Sequence, residues 1–359
     1  MHINLKQFEK NRVLKREPIA LMRAKFQITS CCNAKCKHCT LWRKKPILLK
    51  EKIMFKAIAD LSRMGCKEID FTGGEPTTHP FLLKFIKKVS GLKMHPRINT
   101  NGFNVTESLA KKLVLAGITK YAISIDSPLE SEHDDMRRLD NLWSRAMDSI
   151  NLINKYRKKF NRKIRIVLYS IVTNKNYNKL EKLFELKKIA NFDEINLIPI
   201  KDQKNKQLFL SEEQLTEYHS RIIPNLVKLY GKFKLKGLLR TINCTFGGLE
   251  TPACINQASE GRYSGDVYKK IPCFVPQFYA YVDSKGNVLP CCVAPHHMKT
   301  QYVMGNIYEE SIEKIWNSAR YNALRKYLEK PSLKICSGCS GTMIDFNKRI
   351  YAQVTNEKL

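Results

Sequence analysis

From about residue 24 to residue 200 the chain alternates short strand-like runs with helix-length amphipathic segments, the pattern of βα units around a parallel sheet. The strand candidates are Lys25–Ser30, Glu68–Thr72, Arg97–Asn99, Tyr121–Ile125, Ile164–Val172 and Glu194–Ile198. Between them lie Lys50–Met64, Phe81–Ser90, Ser108–Ala116, Leu142–Tyr156 and Tyr177–Ile189, each long enough for a crossover helix. Ser211 with Gln214 three residues on is a capping-box pattern that starts a further helix. Six such units predict an α/β fold built on a partial (β/α)6 barrel, three-quarters of the eight-fold closed form.

The chemistry-bearing residues fall on the segments that follow these strands. Cys32, Cys36 and Cys39 follow the first and Gly73-Gly74-Glu75-Pro76 the second. Asn101 and Gly102 follow the third, and Ser124 and Asp126 close the fourth. Asn176 follows the fifth and Lys201 the sixth. Parallel α/β folds build their sites at the C-terminal ends of the strands, so one rim becomes an active-site mouth. Lys201, Lys204 and Lys206 lie on that side and point to an anionic substrate.

Twelve cysteines without a signal-peptide layout argue for metal ligation in a reducing cytoplasm rather than for disulfides. Cysteine thiolates hold iron–sulfur clusters, and a four-iron cluster normally takes four. The three thiols of Cys32, Cys36 and Cys39 leave one iron without a protein ligand, and an open position marks a catalytic metal site. A second group ends the chain: Cys273, a hairpin-like stretch through Gly286, Cys291, and then Cys336-Ser-Gly-Cys339. Those four thiols complete a site with no open position, either a second cluster or a four-cysteine zinc site.

The C-x3-C-x2-C spacing, followed one βα unit later by Gly73-Gly74-Glu75-Pro76, resembles the radical S-adenosylmethionine (SAM) superfamily. The C-terminal group, with Gly305-Asn306-Ile307 and Ile315-Trp316, resembles the SPASM/twitch extension of that superfamily. No cysteine follows Cys339, which fits the one-cluster twitch form. The resemblance implies a [4Fe-4S] cluster on Cys32, Cys36 and Cys39 that binds SAM. It also implies one auxiliary [4Fe-4S] cluster on Cys273, Cys291, Cys336 and Cys339. SAM cleavage in the family yields a 5′-deoxyadenosyl radical that abstracts hydrogen. The matching SAM-binding positions are His38, Gly73, Gly74, Glu75, Pro76, Asn101, Ser124, Asp126 and Asn176. Arg137 and Arg145 are both candidates for the SAM carboxylate, since Arg pairs bidentately with that group.

The expected organisation is an N-terminal extension (1–20), the radical SAM core (21–205), a helical linker and loop (206–265) and the cluster domain (266–359). With the cysteine loop starting at residue 32, no cobalamin or peptide-recognition domain is expected before it. The substrate is then a small polar metabolite or a peptide, and the electron donor a partner such as flavodoxin or ferredoxin. The expected reaction is a dehydrogenase-type oxidation with the auxiliary cluster as electron acceptor. The alternative is epimerisation with a cysteine hydrogen donor, Cys244 or Cys254. Cys31, Cys66 and Cys292 are left without a role.

The formal net charge of +30 raises nucleic-acid modification as a rival. Lys outnumbers Arg by more than two to one, however, and phosphate forks favour Arg. The densest basic run, ending at Arg165, precedes the fifth strand and so lies on the rim opposite the mouth. Neither nucleic acid nor a membrane is expected as a partner, and no run of eighteen apolar residues occurs. A non-catalytic iron–sulfur electron carrier is the remaining reading.

Overall fold

The computed structural model describes residues 5–235, 246, 249, 251–264, 270–297, 300–330, 333–339 and 341–356. Its centre is a parallel sheet of β1 (Arg23–Thr29), β2 (Glu68–Gly73), β3 (His95–Thr100), β4 (Lys120–Ser124), β5 (Arg165–Val172) and β6 (Glu194–Pro199). The crossovers are α2 (Glu51–Arg63), α3 (Leu82–Gly91), α4 (Glu107–Ala116) and α6 (Leu142–Lys159), with α1 (Gln7–Leu14) before the sheet and α5 (Glu130–Arg137) after β4. The crossover after β5, Tyr177–Lys188, is wound as a 3-10 helix rather than an α-helix. Its buried Tyr177, Leu180, Leu183 and Leu186 recur every third residue, which at three residues per turn forms one straight apolar stripe. The predicted capping box is present: Ser211 Oγ accepts from the Gln214 amide and the Gln214 side chain accepts from the Ser211 amide.

The sheet does not stop at β1. The predicted C-terminal hairpin, β7 (Tyr279–Val282) and β8 (Asn287–Leu289), joins it: β7 runs parallel to β1, pairing Arg23 with Tyr279 and Lys25 with Tyr281. A short β9 (Gly305–Asn306) completes the strand order β6-β5-β4-β3-β2-β1-β7-β8-β9. The result is an open partial barrel, not a closed one, and the cluster-domain hairpin is an outward continuation of its sheet. Among the described residues no helix is long and apolar enough to cross a membrane.

Strand alternation sorts the side chains between two faces. Phe26, Ile28, Phe71, Ile98, Tyr121, Ile123, Leu168 and Ile195 face the helices and form the main apolar core. Their alternates are Lys25, Asp70, Arg97, Lys120, Tyr169 and Asn196, which share the opposite face. A second core unites the two ends of the chain. Leu5, Val13 and Ile19 pack with Phe274, Phe278, Val293, Phe346 and Ile350. Polar ties fasten the same segment. Arg16 donates to the Cys273 carbonyl at 2.7 Å, and Trp316 Nε1 donates to the Ile19 carbonyl at 3.1 Å. The N-terminal extension is therefore part of the structure around the C-terminal cysteines.

Candidate functional site

The cysteine loop leaves β1 and folds over the end of β2. The Gly74 amide donates to the Thr29 carbonyl at 2.9 Å and the Glu75 amide to the Cys31 carbonyl at 2.7 Å. A Cβ on Gly74 would lie 2.1 Å from the Cys31 oxygen, and one on Gly73 2.3 Å from the Thr29 oxygen. The paired glycines thus admit the cysteine-loop backbone itself, a different use of their size from close approach to a ligand. Glu75 is 1 % exposed, and its carboxylate is taken up inside the protein. It accepts from the Thr77 amide and hydroxyl, the Thr100 hydroxyl and the Asn101 amide at 2.6–3.1 Å, tying the ends of β2 and β3 together. Burial pushes its carboxyl above the usual range against these donors.

Cys32, Cys36 and Cys39 line a cavity of about 190 Å³ with His38, Gly73, Gly74, Glu75, Asn101, Ser124 and Arg137. Of the two arginines, Arg137 is the one on this wall. It lies at the end of α5 and its Nε donates to Asp126 Oδ2 at 2.8 Å. Arg145 lies elsewhere. It is exposed on α6, its Nε donates to the Phe103 carbonyl, and it lines a separate groove with Val105, Thr106 and Asp148. Asp126 and Asn176 stand behind the wall. Asp126 Oδ1 accepts from the Ile171 amide, and Asn176 donates to the Asp126 and Ile171 carbonyls. Pro76 is buried in the turn after Glu75. Burial lowers the His38 imidazole to about 4 and raises the thiols of Cys32 to about 12 and Cys36 to about 11, so metal loading must displace their protons.

The second group also converges. Cys273, Cys291, Cys336 and Cys339 line one cavity whose other walls are mostly apolar, among them Ile271, Val275, Val293, Ile335 and Met343, with Asn347 as a polar neighbour of Cys273. Cys292 lies on it too. Among the described residues no three His, Cys, Asp or Glu side chains meet closely enough for a single metal ion. The thiols stand around two hollows instead. Three sulfurs facing a polar wall in one site and four in an apolar pocket in the other fit an open and a closed cluster respectively.

A third cavity, about 380 Å³, occupies the barrel lumen. It shares Thr72, Asn99 and Ser124 with the first cavity and Cys292 and Met343 with the second. Lys201 is on its wall, with Nζ 3.6 Å from Cys292 Sγ. Lys204 and Lys206 are exposed in the turn that follows, so of the three lysines only Lys201 faces the lumen. Cys254 is on the partly exposed helix Pro252–Ser259 and lines none of these three cavities, and Cys244 lies outside the described residues. Sequence reasoning missed Arg23, Lys25, Arg97 and Lys120 as lumen residues. The available signal was charge at alternate positions of parallel strands, which are normally apolar on both faces.

Comparison with known proteins agrees with this geometry. The family model of the radical SAM superfamily matches residues 26–186, and that of SPASM, an iron–sulfur cluster-binding domain, matches residues 273–340. The AdoMet-dependent heme synthase of Methanosarcina barkeri is 22% identical over 332 residues, covering 88% of this chain and 89% of its own. The tungsten-containing aldehyde ferredoxin oxidoreductase cofactor-modifying protein of Pyrococcus furiosus is 25% identical over 331 residues, covering 88% of this chain and 86% of its own. In fold, the crystal structure of Streptococcus suis SuiB bound to S-adenosylmethionine superposes with a TM-score of 0.66 at 15% identity, covering 95% of this chain and 79% of that one. With an open three-cysteine site at the barrel rim and a four-cysteine site beside it, the chain belongs to the radical SAM superfamily and carries a C-terminal SPASM-type cluster domain.

Proposed function

We propose that the chain oxidises a small polar metabolite held in the barrel lumen, removing one hydrogen atom from carbon and then one electron and one proton. The observation that carries this reading is the shared walls. The lumen borders the three-cysteine cavity through Thr72, Asn99 and Ser124, and the four-cysteine cavity through Cys292 and Met343. When bound, a cluster on Cys32, Cys36 and Cys39 supplies one-electron cleavage of SAM, and one on Cys273, Cys291, Cys336 and Cys339 supplies an electron acceptor. The chain's own residues bind and orient. Arg137, held by Asp126, presents a cation for the SAM carboxylate, and His38, Asn101 and Ser124 offer polar contacts on the same wall. Glu75 is a positioning residue that fixes the loop ends. Met343, Phe346 and Arg349, from the helix Gly341–Thr355, line the lumen, which favours a small substrate over a long peptide and helps exclude water. Flavodoxin or ferredoxin is the proposed electron donor.

A second reading, epimerisation, is supported by Cys292, the thiol on the lumen wall. It replaces Cys244 and Cys254 as the hydrogen donor in that reading. The test is anaerobic turnover of a fractionated metabolite pool in deuterium oxide, with dithionite and SAM, read by mass spectrometry. Oxidation gives a product two mass units lighter than its substrate, with 5′-deoxyadenosine in equal amount. A product one unit heavier, lost on Cys292→Ala, would establish thiol return and overturn the oxidative reading.

A further inference from the structure

The lumen is unusually cationic. Arg23, Lys25, Arg97, Lys120, Lys201 and Arg349 line it, and among the described residues no carboxylate is on its wall. Three of the six have carboxylate partners: Asp70 lies between Arg23 and Arg97, and Asp345 pairs with Arg349 at 2.8 Å. The lysines make no close ion pair with a carboxylate among the described residues. Lys120, 3 % exposed, donates to the Tyr169 hydroxyl at 2.8 Å, and Lys25 makes no side-chain hydrogen bond with a described residue, its nearest counter-charge being Asp70, which the two arginines already hold. Burial lowers the pKa of both ammonium groups in spite of Asp70 and Tyr169.

Register gathers these charges into one row. Lys25 pairs with Asp70, Asp70 with Arg97 and Arg97 with Lys120 across β1 to β4. Asn99, two residues above Arg97, and Ser124, four above Lys120, are on the wall shared with the three-cysteine cavity. At about 3.3 Å per strand residue, the row lies roughly 7–13 Å below that wall.

We propose that this row is a substrate anchor: the substrate carries at least two acidic groups, carboxylates or phosphates, gripped by Lys25 and Lys120 on the lumen floor. The carbon that loses hydrogen then lies on the order of 10 Å from those groups. This rests on the reading of the lumen as the substrate cavity. A buried cation awaiting an anion gives both affinity and a fixed orientation, because the acid end cannot be turned toward the rim without leaving charge unpaired.

Titration calorimetry on the anaerobically reconstituted full chain tests the anchor, with adipate and fructose 1,6-bisphosphate as probes bearing two acidic groups and propionate as a single-acid control. At least one two-acid probe should bind more tightly than propionate, and more weakly at high salt. Binding of adipate alone, of the bisphosphate alone, or of both identifies carboxylate, phosphate or charge as what is recognised. Lys25→Gln/Lys120→Gln should raise Kd about tenfold or more. Lys25→Gln alone, which removes an ammonium that makes no side-chain hydrogen bond with a described residue, should raise it severalfold. Lys204→Gln/Lys206→Gln, both exposed, should leave it unchanged. Iron content confirms that each variant folds. Failure of both two-acid probes to bind, or wild-type affinity in Lys25→Gln, overturns the anchor. Reductive SAM cleavage by the same wild-type preparation is scored separately. Its absence would overturn the enzymatic reading, whereas cleavage without binding of either two-acid probe would overturn the anchor alone.

Discussion

Substituting Gly74 by alanine separates the geometry of the cysteine loop from the chemistry of its thiols. The added Cβ would stand 2.1 Å from the Cys31 carbonyl oxygen, 2.5 Å from its carbon and 2.8 Å from the Ser30 oxygen. All three are backbone atoms, so no side chain can swing aside. Restoring ordinary contact requires the loop to withdraw by about 1 Å or more, and overpacking of this kind costs about 1–3 kcal/mol. The Glu75 amide bond to the Cys31 carbonyl, 2.7 Å, would be lost in that movement. Cys32 begins the ligand set one residue later, so the expected result is local. Anaerobic reconstitution should load about 4 Fe per chain instead of about 8, the remainder being on the C-terminal site. Urea denaturation should show the destabilisation. Gly91→Ala is the control, since a Cβ there meets nothing within 4 Å and Ala is the better helix former. Full iron loading together with wild-type stability in Gly74→Ala would refute the argument that these glycines exist to admit the loop.

Replacing Cys32, Cys36 and Cys39 together by Ala should also leave about 4 Fe, and abolish SAM cleavage as measured by 5′-deoxyadenosine. Stoichiometric zinc with only about 4 Fe in the intact protein would instead identify the C-terminal site as a zinc site. Asp70→Asn removes the buried carboxylate between Arg23 and Arg97 and leaves Glu68 as their remaining partner, and should cost about 1–3 kcal/mol in a urea titration. Burial raises the Asp70 carboxyl, but Arg23 and Arg97 outweigh it and hold the group below its ordinary range. Its stabilisation is therefore present above the unfolded value near pH 4 and is lost as pH falls below it, so the variant should show a flatter acid-unfolding profile.

The strands were legible because each carries its own local signal. An apolar, β-branched run ends in glycine or polar residues, and all six observed strands fall within two residues of the expected bounds. The loops bearing Cys32, Cys36, Cys39 and Gly74 came with them, since strand order decides which rim they share. What stayed hidden depends on closure. Lys25, Asp70, Arg97 and Lys120 look like the wet side of a strand until the sheet curls and encloses them. The pairing of β1 with β7 joins residues more than 250 apart, such as Arg23 and Tyr279, and no local pattern announces it. The choice between Arg137 and Arg145 rested on which helix face meets the mouth, which depends on how α5 and α6 are set against β4. Cys292 was set aside because its neighbour Cys291 accounted for the local motif.

The packing of Leu5, Val13 and Ile19 against Phe274, Phe346 and Ile350 also has a temporal side. On a ribosome these two halves of one core emerge far apart in time. At about 5–20 residues per second, roughly 17 to 66 seconds separate the release of Ile19 from that of Ile350. Within that interval the ladder of β1 to β6 can pair, since all six strands lie before residue 200, while its core waits for later residues such as Tyr230, Ile315 and Trp316. The first apolar segment, however, has no partner to cover it. Its docking is complete only after Phe346 and Ile350 emerge, and in the sequence those residues follow Cys273, Cys291, Cys336 and Cys339, so the core that closes over the second cysteine group is finished only when every thiol of that group exists.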